Sequence, residues 1–143
     1  MRGRYVPFLP ALLLITMVTV REGLACDACL EDKIAATYDW EVVSAAKRQG
    51  HTVIFTAIQG PVGPQDQRLG RRLTDELLAV PGVDAGSVRV ALSPPALSFS
   101  SNLAKRRVDA ILQAANQRLR TVRLKLVVVR IGAPAMGEVG ALR

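Results

Sequence analysis

The sequence predicts a small α+β protein in which helices pack on an antiparallel sheet. Two patterns within residues 51–130 carry this prediction. Four segments alternate apolar and polar residues at the period of half-buried strands, and two others repeat apolar residues at helical spacing. A one-sided helix and a sheet face must each bury their apolar side against another layer. The order strand, helix, strand, strand, helix, strand, with right-handed crossovers, predicts a ferredoxin-like βαββαβ two-layer sandwich with an extra N-terminal helix.

The predicted strands are rich in β-branched and aliphatic residues and cover residues 51–58, 87–92, 96–100 and 121–130. The last strand alternates most cleanly, since the charged Lys125 separates Leu124 from Leu126. Proline cannot donate a hydrogen bond to a neighbouring strand. Pro94 and Pro95 are therefore expected in the turn between the second and third strands, or at its rim.

Two segments between the strands are predicted to be helical. Residues 66–80 end at Pro81 and Gly82, and their apolar stripe consists of Leu69, Leu73, Leu77 and Val80. Residues 102–117 follow three candidate N-cap residues, which are Ser100, Ser101 and Asn102. At 143 residues the chain is expected to form one domain, and its 4% aromatic content predicts a core of aliphatic side chains.

The first 25 residues have the composition of a secretory signal peptide. Arg2 and Arg4 precede an apolar run over residues 8–20, and small residues follow it up to Ala25. A run of about 13 residues is short for a membrane span, which needs about 20. Cleavage after Ala25 predicts a secreted or periplasmic protein without a stable membrane span. A lipoprotein anchored at Cys26 is the alternative, although Gly23 is atypical of lipoprotein signals.

Residues 26–50 contain a Cys-x-x-Cys pair and an additional predicted helix over 30–48, with Gly50 as its C-terminal cap. We expect this helix to cover part of the second sheet face, because it has an apolar stripe of its own. The residues predicted to point toward that face are Ile54, Ile58, Val127 and Val129. Residues 131–143 are rich in Gly and Ala and lack periodicity, which predicts a disordered tail.

Cys26 and Cys29 are the two cysteines of the sequence and its candidate metal ligands. Two thiols at this spacing can bind one soft metal ion or form a disulfide. They suit two-coordinate Cu(I) better than Zn(II), which takes four ligands, and His51 is the single histidine. The helix dipole favours thiolates there, whereas neighbouring acidic residues oppose them. An oxidising compartment favours the disulfide instead. Thiol–disulfide exchange is a third alternative, weakened because no predicted strand precedes the pair.

From the residues and motifs other than the cysteine pair, we expect neither an enzyme nor a nucleic-acid partner. The sequence lacks a nucleophile motif, a paired-carboxylate pattern and a phosphate-binding glycine fingerprint. The basic residues are interspersed with core positions without interleaved aromatic residues, so solvated surfaces are expected at Lys105, Arg106, Arg107, Arg118, Arg120, Arg123 and Lys125. His51 is expected to be an ordinary edge residue. Tyr38 and Trp40 are expected to pack, with a protein-partner surface as the alternative.

Residues 77–83 read Leu-Leu-Ala-Val-Pro-Gly-Val and precede the alternating strand Ser87–Val90; a Leu97-Ser-Phe99 strand and the helix 108–115 follow. This pattern resembles the heavy-metal-associated domain family, which are small ferredoxin-like carriers of Cu(I) and related ions. The resemblance implies that fold. The metal-binding cysteines of that family lie in the loop after the first strand, which here is residues 59–64 and contains none. Either the metal function has been lost, or Cys26 and Cys29 replace those ligands from a helix whose start lies beside this loop.

The sequence therefore predicts an exported, non-enzymatic protein that binds or delivers a soft metal ion such as Cu(I). The alternative is a structural or protein-interaction module whose two cysteines form a disulfide.

Overall fold

A computed structural model describes residues 27–133. Within that range the chain is an α+β protein with four α-helices and a four-stranded antiparallel sheet. The elements are α1 (Asp27–Thr37), α2 (Trp40–Gln49), β1 (Thr52–Gln59), α3 (Gln67–Leu78), β2 (Arg89–Leu92), β3 (Pro95–Ser101), α4 (Val108–Leu119), a 3-10 turn (Arg120–Val122) and β4 (Lys125–Ile131). The predicted signal peptide, Cys26 and most of the predicted tail lie outside the described residues.

The sheet has the strand order β2-β3-β1-β4, and every neighbouring pair is antiparallel. β1 and β3 lie at the centre, where Phe55 is paired with Ser98. A bulge in the β1–β4 ladder lies between Phe55 and Thr56. Side chains that alternate along β1 enter two different buried clusters. Helices therefore cover both faces of this sheet.

The larger cluster lies between the sheet and the helices α3 and α4. The predicted stripe of α3 is confirmed, since Leu73, Leu77 and Val80 are buried and Leu69 is partly buried. Asp66 begins the helix by accepting a hydrogen bond from the backbone N–H of Leu69 at 3.0 Å. The other members of the cluster include Ile54, Ile58, Leu97, Phe99, Ile111, Ala115 and Leu126.

The smaller cluster confirms that the N-terminal segment covers the second sheet face. Its buried members are Ile34, Val42, Val43, Ala46, Val53 and Phe55, with Tyr38 and Val129 packed against them. Val129 was predicted on this face, but Ile54 and Ile58 point to the other one, and that part of the prediction is wrong. The reason is that β1 is apolar on both faces, so its alternation does not define which residues face which layer.

The predicted single helix over 30–48 is two helices that meet at Asp39. The backbone of Asp39 is extended, with φ −133° and ψ 115°, and its Oδ1 accepts hydrogen bonds from Glu41 N at 2.8 Å and Val42 N at 3.2 Å. Asp39 is therefore an N-cap, and its side chain satisfies backbone donors that a continuous helix would have bonded internally. The predicted cap at Gly50 is confirmed by its left-handed backbone, with φ 67°.

Two predicted boundaries are also corrected. Helix α4 begins at Val108 rather than at 102, because Asn102 caps a separate turn by accepting from Ala104 N and Lys105 N. Ser100 and Ser101 are buried in β3 and do not cap α4. Strand β4 begins at Lys125 rather than at 121, since the chain first forms the 3-10 turn and then adopts a left-handed conformation at Arg123, with φ 57°.

We predict that Leu77→Ala lowers the free energy of unfolding by about 2–5 kcal/mol, because Leu77 is fully buried in the larger cluster. The adjacent Leu78 is 42% exposed on the same helix, so Leu78→Ala is the matched control and should cost less than about 1 kcal/mol. Urea unfolding of both variants measures the difference. Equal losses would contradict the assignment of α3's buried face.

Asp39 predicts a pH-dependent contribution to stability. Its Oδ2 accepts a hydrogen bond from Arg89 Nε at 2.7 Å, and this bond, helped by the backbone N–H groups, lowers the pKa of Asp39 below its usual 3.8. A lowered folded-state pKa contributes stability that is present above the unfolded-state pKa and is lost as pH falls through the folded-state value.

Asp39→Asn keeps a capping oxygen but removes the charge. Unfolding free energies measured from about pH 6 to about pH 2 should show wild type more stable at the upper end, with the difference shrinking below about pH 4. A difference that stays constant over this range would contradict a charged interaction with Arg89.

Candidate functional site

Cys29 lies in the first turn of α1, and its thiol is exposed and free. One turn later Lys33 donates a hydrogen bond from Nζ to the backbone oxygen of Cys29 at 3.2 Å. A cationic side chain therefore lies next to the turn that carries the thiol. Cys26, the second predicted ligand, immediately precedes the first residue of α1 in the sequence and lies outside the described residues.

Helix α1 is held in place by polar contacts along the second sheet face. Near its start Glu31 Oε1 lies 3.9 Å from Arg130 Nη1 on β4, and at its end the backbone oxygen of Thr37 accepts from Ser98 Oγ on β3 at 2.8 Å. Asp39 then bonds Arg89 on β2. The helix thus crosses from one edge strand toward the other. This crossing directs the N-terminal part of α1, which carries Cys29, toward the β4 edge.

Glu31, in the second turn of α1, contacts β4 opposite the middle of β1 rather than near the carboxyl end of β1. Arg130 is paired with Phe55, whereas β1 ends at Gln59, four residues or about 13 Å further along the strand. The loop over residues 59–64 begins there. The described contacts near Cys29 therefore lie away from the loop in which heavy-metal-associated domains carry their cysteines. This placement counts against the expectation that Cys26 and Cys29 replace those ligands from a helix start beside the loop.

Between residues 27 and 133, no three or more His, Cys, Asp or Glu side chains come together as a metal-ligand set. A pair formed by Cys26 and Cys29 is a different arrangement, and one of its members is outside this range.

A second candidate site is a polar cluster around Asp84, which joins the start of β1 to the end of β3. Asp84 Oδ2 lies 2.7 Å from His51 Nδ1 and accepts a hydrogen bond from Ser100 Oγ at 2.6 Å. The backbone oxygen of Asp84 accepts from Ser87 Oγ at 2.7 Å, and Ser87 Oγ in turn accepts from Ser100 N at 3.0 Å. The two buried serines are thereby hydrogen-bonded.

This cluster has the residue types of a serine nucleophile site but a different order of bonds. The Ser100 hydroxyl donates to Asp84, whereas an activated serine donates to the histidine. The bonds therefore brace three chain segments against one another. Sequence reasoning singled out His51 only as an edge residue and missed its partner, which is 33 positions away. The available signal was the run of serines inside an otherwise apolar strand, since buried hydroxyls need partners.

A cavity of about 380 Å³ lies beside the polar cluster. It is lined by His51, Gly82, Asp84, Asn102, Lys105 and Arg106. His51 also lines a cavity of about 390 Å³ on its other side, against the end of α2 and Gly132. His51 thus contributes to the lining of both openings.

The other residues considered from the sequence divide into two groups. Trp40 is 56% exposed at the first position of α2, so the expectation that it packs is wrong, whereas Tyr38 does pack against the smaller cluster. The basic residues expected on solvated surfaces are exposed, namely Lys105, Arg106, Arg107, Arg118, Arg120, Arg123 and Lys125.

No model of a known protein family matches this chain, and no curated protein sequence matches it either. The helices found from residue 27 to residue 133 are all too short or too polar to cross a membrane.

We predict that Asp84→Asn lowers the free energy of unfolding by about 1–3 kcal/mol, because a neutral amide cannot serve both His51 and Ser100 as the carboxylate does. Asp75→Asn on the exposed side of α3 is the control and should change it by less than about 0.5 kcal/mol. Thermal or urea unfolding gives the comparison. If the two variants are equally stable, the cluster does not brace the fold.

Proposed function

We propose that this is an exported, non-enzymatic protein that binds or delivers a soft metal ion such as Cu(I) through Cys26 and Cys29. The observation that carries the proposal is the free, exposed thiol of Cys29 in the first turn of a helix that is fastened across the sheet. Two thiols three positions apart lie about one helical turn apart when the helix includes both. Thiols at this sequence spacing can bind one soft metal ion together.

Positively charged side chains lie close to the N-terminal turns of α1. Glu31 lies within ion-pair distance of Arg130. Lys33 places an ammonium group on the turn that bears Cys29. The N-terminal end of α1 also favours negative charge. Thiolate sulfur is the ligand that Cu(I) prefers, and two such ligands satisfy it.

We also propose that the body of the protein is ferredoxin-like and related in kind to heavy-metal-associated domains. From β1 to β4 the element order is βαββαβ, and β1 and β3 lie between the edge strands β2 and β4 in a fully antiparallel sheet, which supports this proposal. The loop over residues 59–64 has no cysteine. Metal binding by this protein would then use the N-terminal segment, on the opposite sheet face from α3 and α4 and away from that loop.

The alternative function is an interaction module in which Cys26 and Cys29 form a disulfide after export. Trp40 favours it, since a tryptophan that is 56% exposed offers a large apolar surface to a protein partner. Thiol–disulfide exchange has weaker support, because such sites usually follow a core strand and the cysteines here precede β1.

Native mass spectrometry of the reduced mature protein, offered Cu(I) and Zn(II), tests the metal proposal. Wild type should retain one Cu(I), and Cys29→Ser should bind it at least about 100-fold more weakly, since a hydroxyl is a poor ligand for a soft ion. Ala36→Ser is the matched control, because it introduces the same hydroxyl at an exposed position of the same helix without removing a thiol. It should bind Cu(I) as wild type does.

Three results of this measurement separate the alternatives. A mass two hydrogen atoms below the reduced value, resistant to mild reductant and without metal uptake, would favour the disulfide module. Uptake unchanged in Cys29→Ser would contradict the cysteine site. The mass of the protein isolated from its exporting cells should correspond to a chain that begins at Cys26; an added lipid there would identify a lipoprotein instead.

A further inference from the structure

The cavity beside the polar cluster has a positively charged rim built on one ordered turn. Asn102 organises this turn, because its Oδ1 accepts from Ala104 N and Lys105 N and its backbone oxygen accepts from Arg106 N. The side-chain NH2 group of Asn102 remains a donor, since the amide oxygen is the atom turned into the loop. Lys105 and Arg106 lie in the same turn and line the same cavity.

Arg106 is positioned by the turn that ends α3. Its Nη1 donates to the backbone oxygen of Pro81 at 3.2 Å, which uses one of the five N–H groups of the guanidinium. Gly82 makes room for it: a Cβ atom at this position would lie 2.9 Å from Arg106 Cδ, and the backbone has φ +98°. The positive φ favours glycine at this position, and a side chain there would also have to displace Arg106. The guanidinium is held at the cavity although it is solvent-exposed.

The charges around the cavity favour an anion. Lys105 and Arg106 contribute two positive charges, and the single carboxylate in the lining, Asp84, already accepts from Ser100 and bonds His51 through Oδ2. His51 forms one wall and is fixed by that bond. The lining thus combines a net positive charge with donors from three kinds of side chain, namely guanidinium, ammonium and amide.

We propose that this cavity binds a phosphate group, carried by a small phosphate monoester. A phosphate offers several acceptor oxygens and up to two negative charges, which match an arginine fork, a lysine and an amide better than a carboxylate does. The volume of about 380 Å³ lies at the small end of the range for small-molecule sites, which is about 300–1,000 Å³. This site is separate from the cysteine pair and does not depend on the proposed metal function.

Two-dimensional NMR of the nitrogen-15-labelled mature protein tests the proposal, with glycerol 3-phosphate and inorganic phosphate as probes and sodium chloride of equal ionic strength as the reference. Saturable shifts should appear at the amides of His51, Gly82, Asn102, Lys105 and Arg106. Arg106→Gln should weaken binding about tenfold, because it removes a charged, pre-positioned donor pair. Lys105→Gln, whose backbone bonds are retained, should weaken it about threefold to tenfold.

Arg107→Gln is the matched control. Arg107 is adjacent, fully charged and exposed, but it pairs with Asp109 at 3.2 Å and does not line the cavity. It should change the affinity by less than about twofold. Tighter binding of the ester than of free phosphate supports the monoester, whereas equal binding identifies free phosphate as the ligand. Shifts that chloride reproduces, or equal losses in the Arg106, Lys105 and Arg107 variants, would overturn the proposal.

Discussion

The central strand β1 is apolar on both faces, and most of the architecture follows from the need to bury both of them. Ile54 and Ile58 enter the cluster under α3 and α4, while Val53 and Phe55 point the other way. A strand of this kind cannot leave either face in water without exposing large side chains. The βαββαβ arrangement supplies helices for one face only. The second face is covered by α1 and α2, and their presence N-terminal to β1 follows from this need.

Covering the second face also determines where the exposed thiol lies. Helix α1 cannot continue straight into α2, because Asp39 caps the new helix and bonds Arg89 on the edge strand. The break lets two short helices follow a twisted sheet surface that one straight helix of this length would leave partly uncovered. With its end held at Thr37 and Asp39, α1 has its N-terminal part, which includes Cys29, on the side of the sheet where Glu31 contacts Arg130 of β4.

Much of this structure could be predicted from residue patterns, and the exceptions have physical causes. The stripe of α3 was readable because polar residues surround it on the helix surface, and Leu73 and Leu77 are indeed buried. The sequence did not show which residues of β1 face which helix layer, since the residues on both faces are apolar. The break at Asp39 was missed because a capping aspartate within an amphipathic pattern resembles an ordinary exposed polar position. The helix start at Val108 was missed because Asn102 caps a turn that comes before the helix.

The two candidate sites also differ in how far the sequence alone predicts them. The cysteine pair is a local pattern, so its residues could be named from the sequence. Its surroundings could be named only in part, because Lys33 is a neighbour in the same helix whereas the contact between Glu31 and Arg130 joins distant segments. The polar cluster and its cavity exist only through folding, since His51, Asp84 and Arg106 come from three separate loops and strand ends. A buried hydroxyl such as Ser100 signals that some partner must exist, but only the strand pairing decides which. A site built from distant segments therefore cannot be predicted from the sequence pattern, even where the fold itself can be.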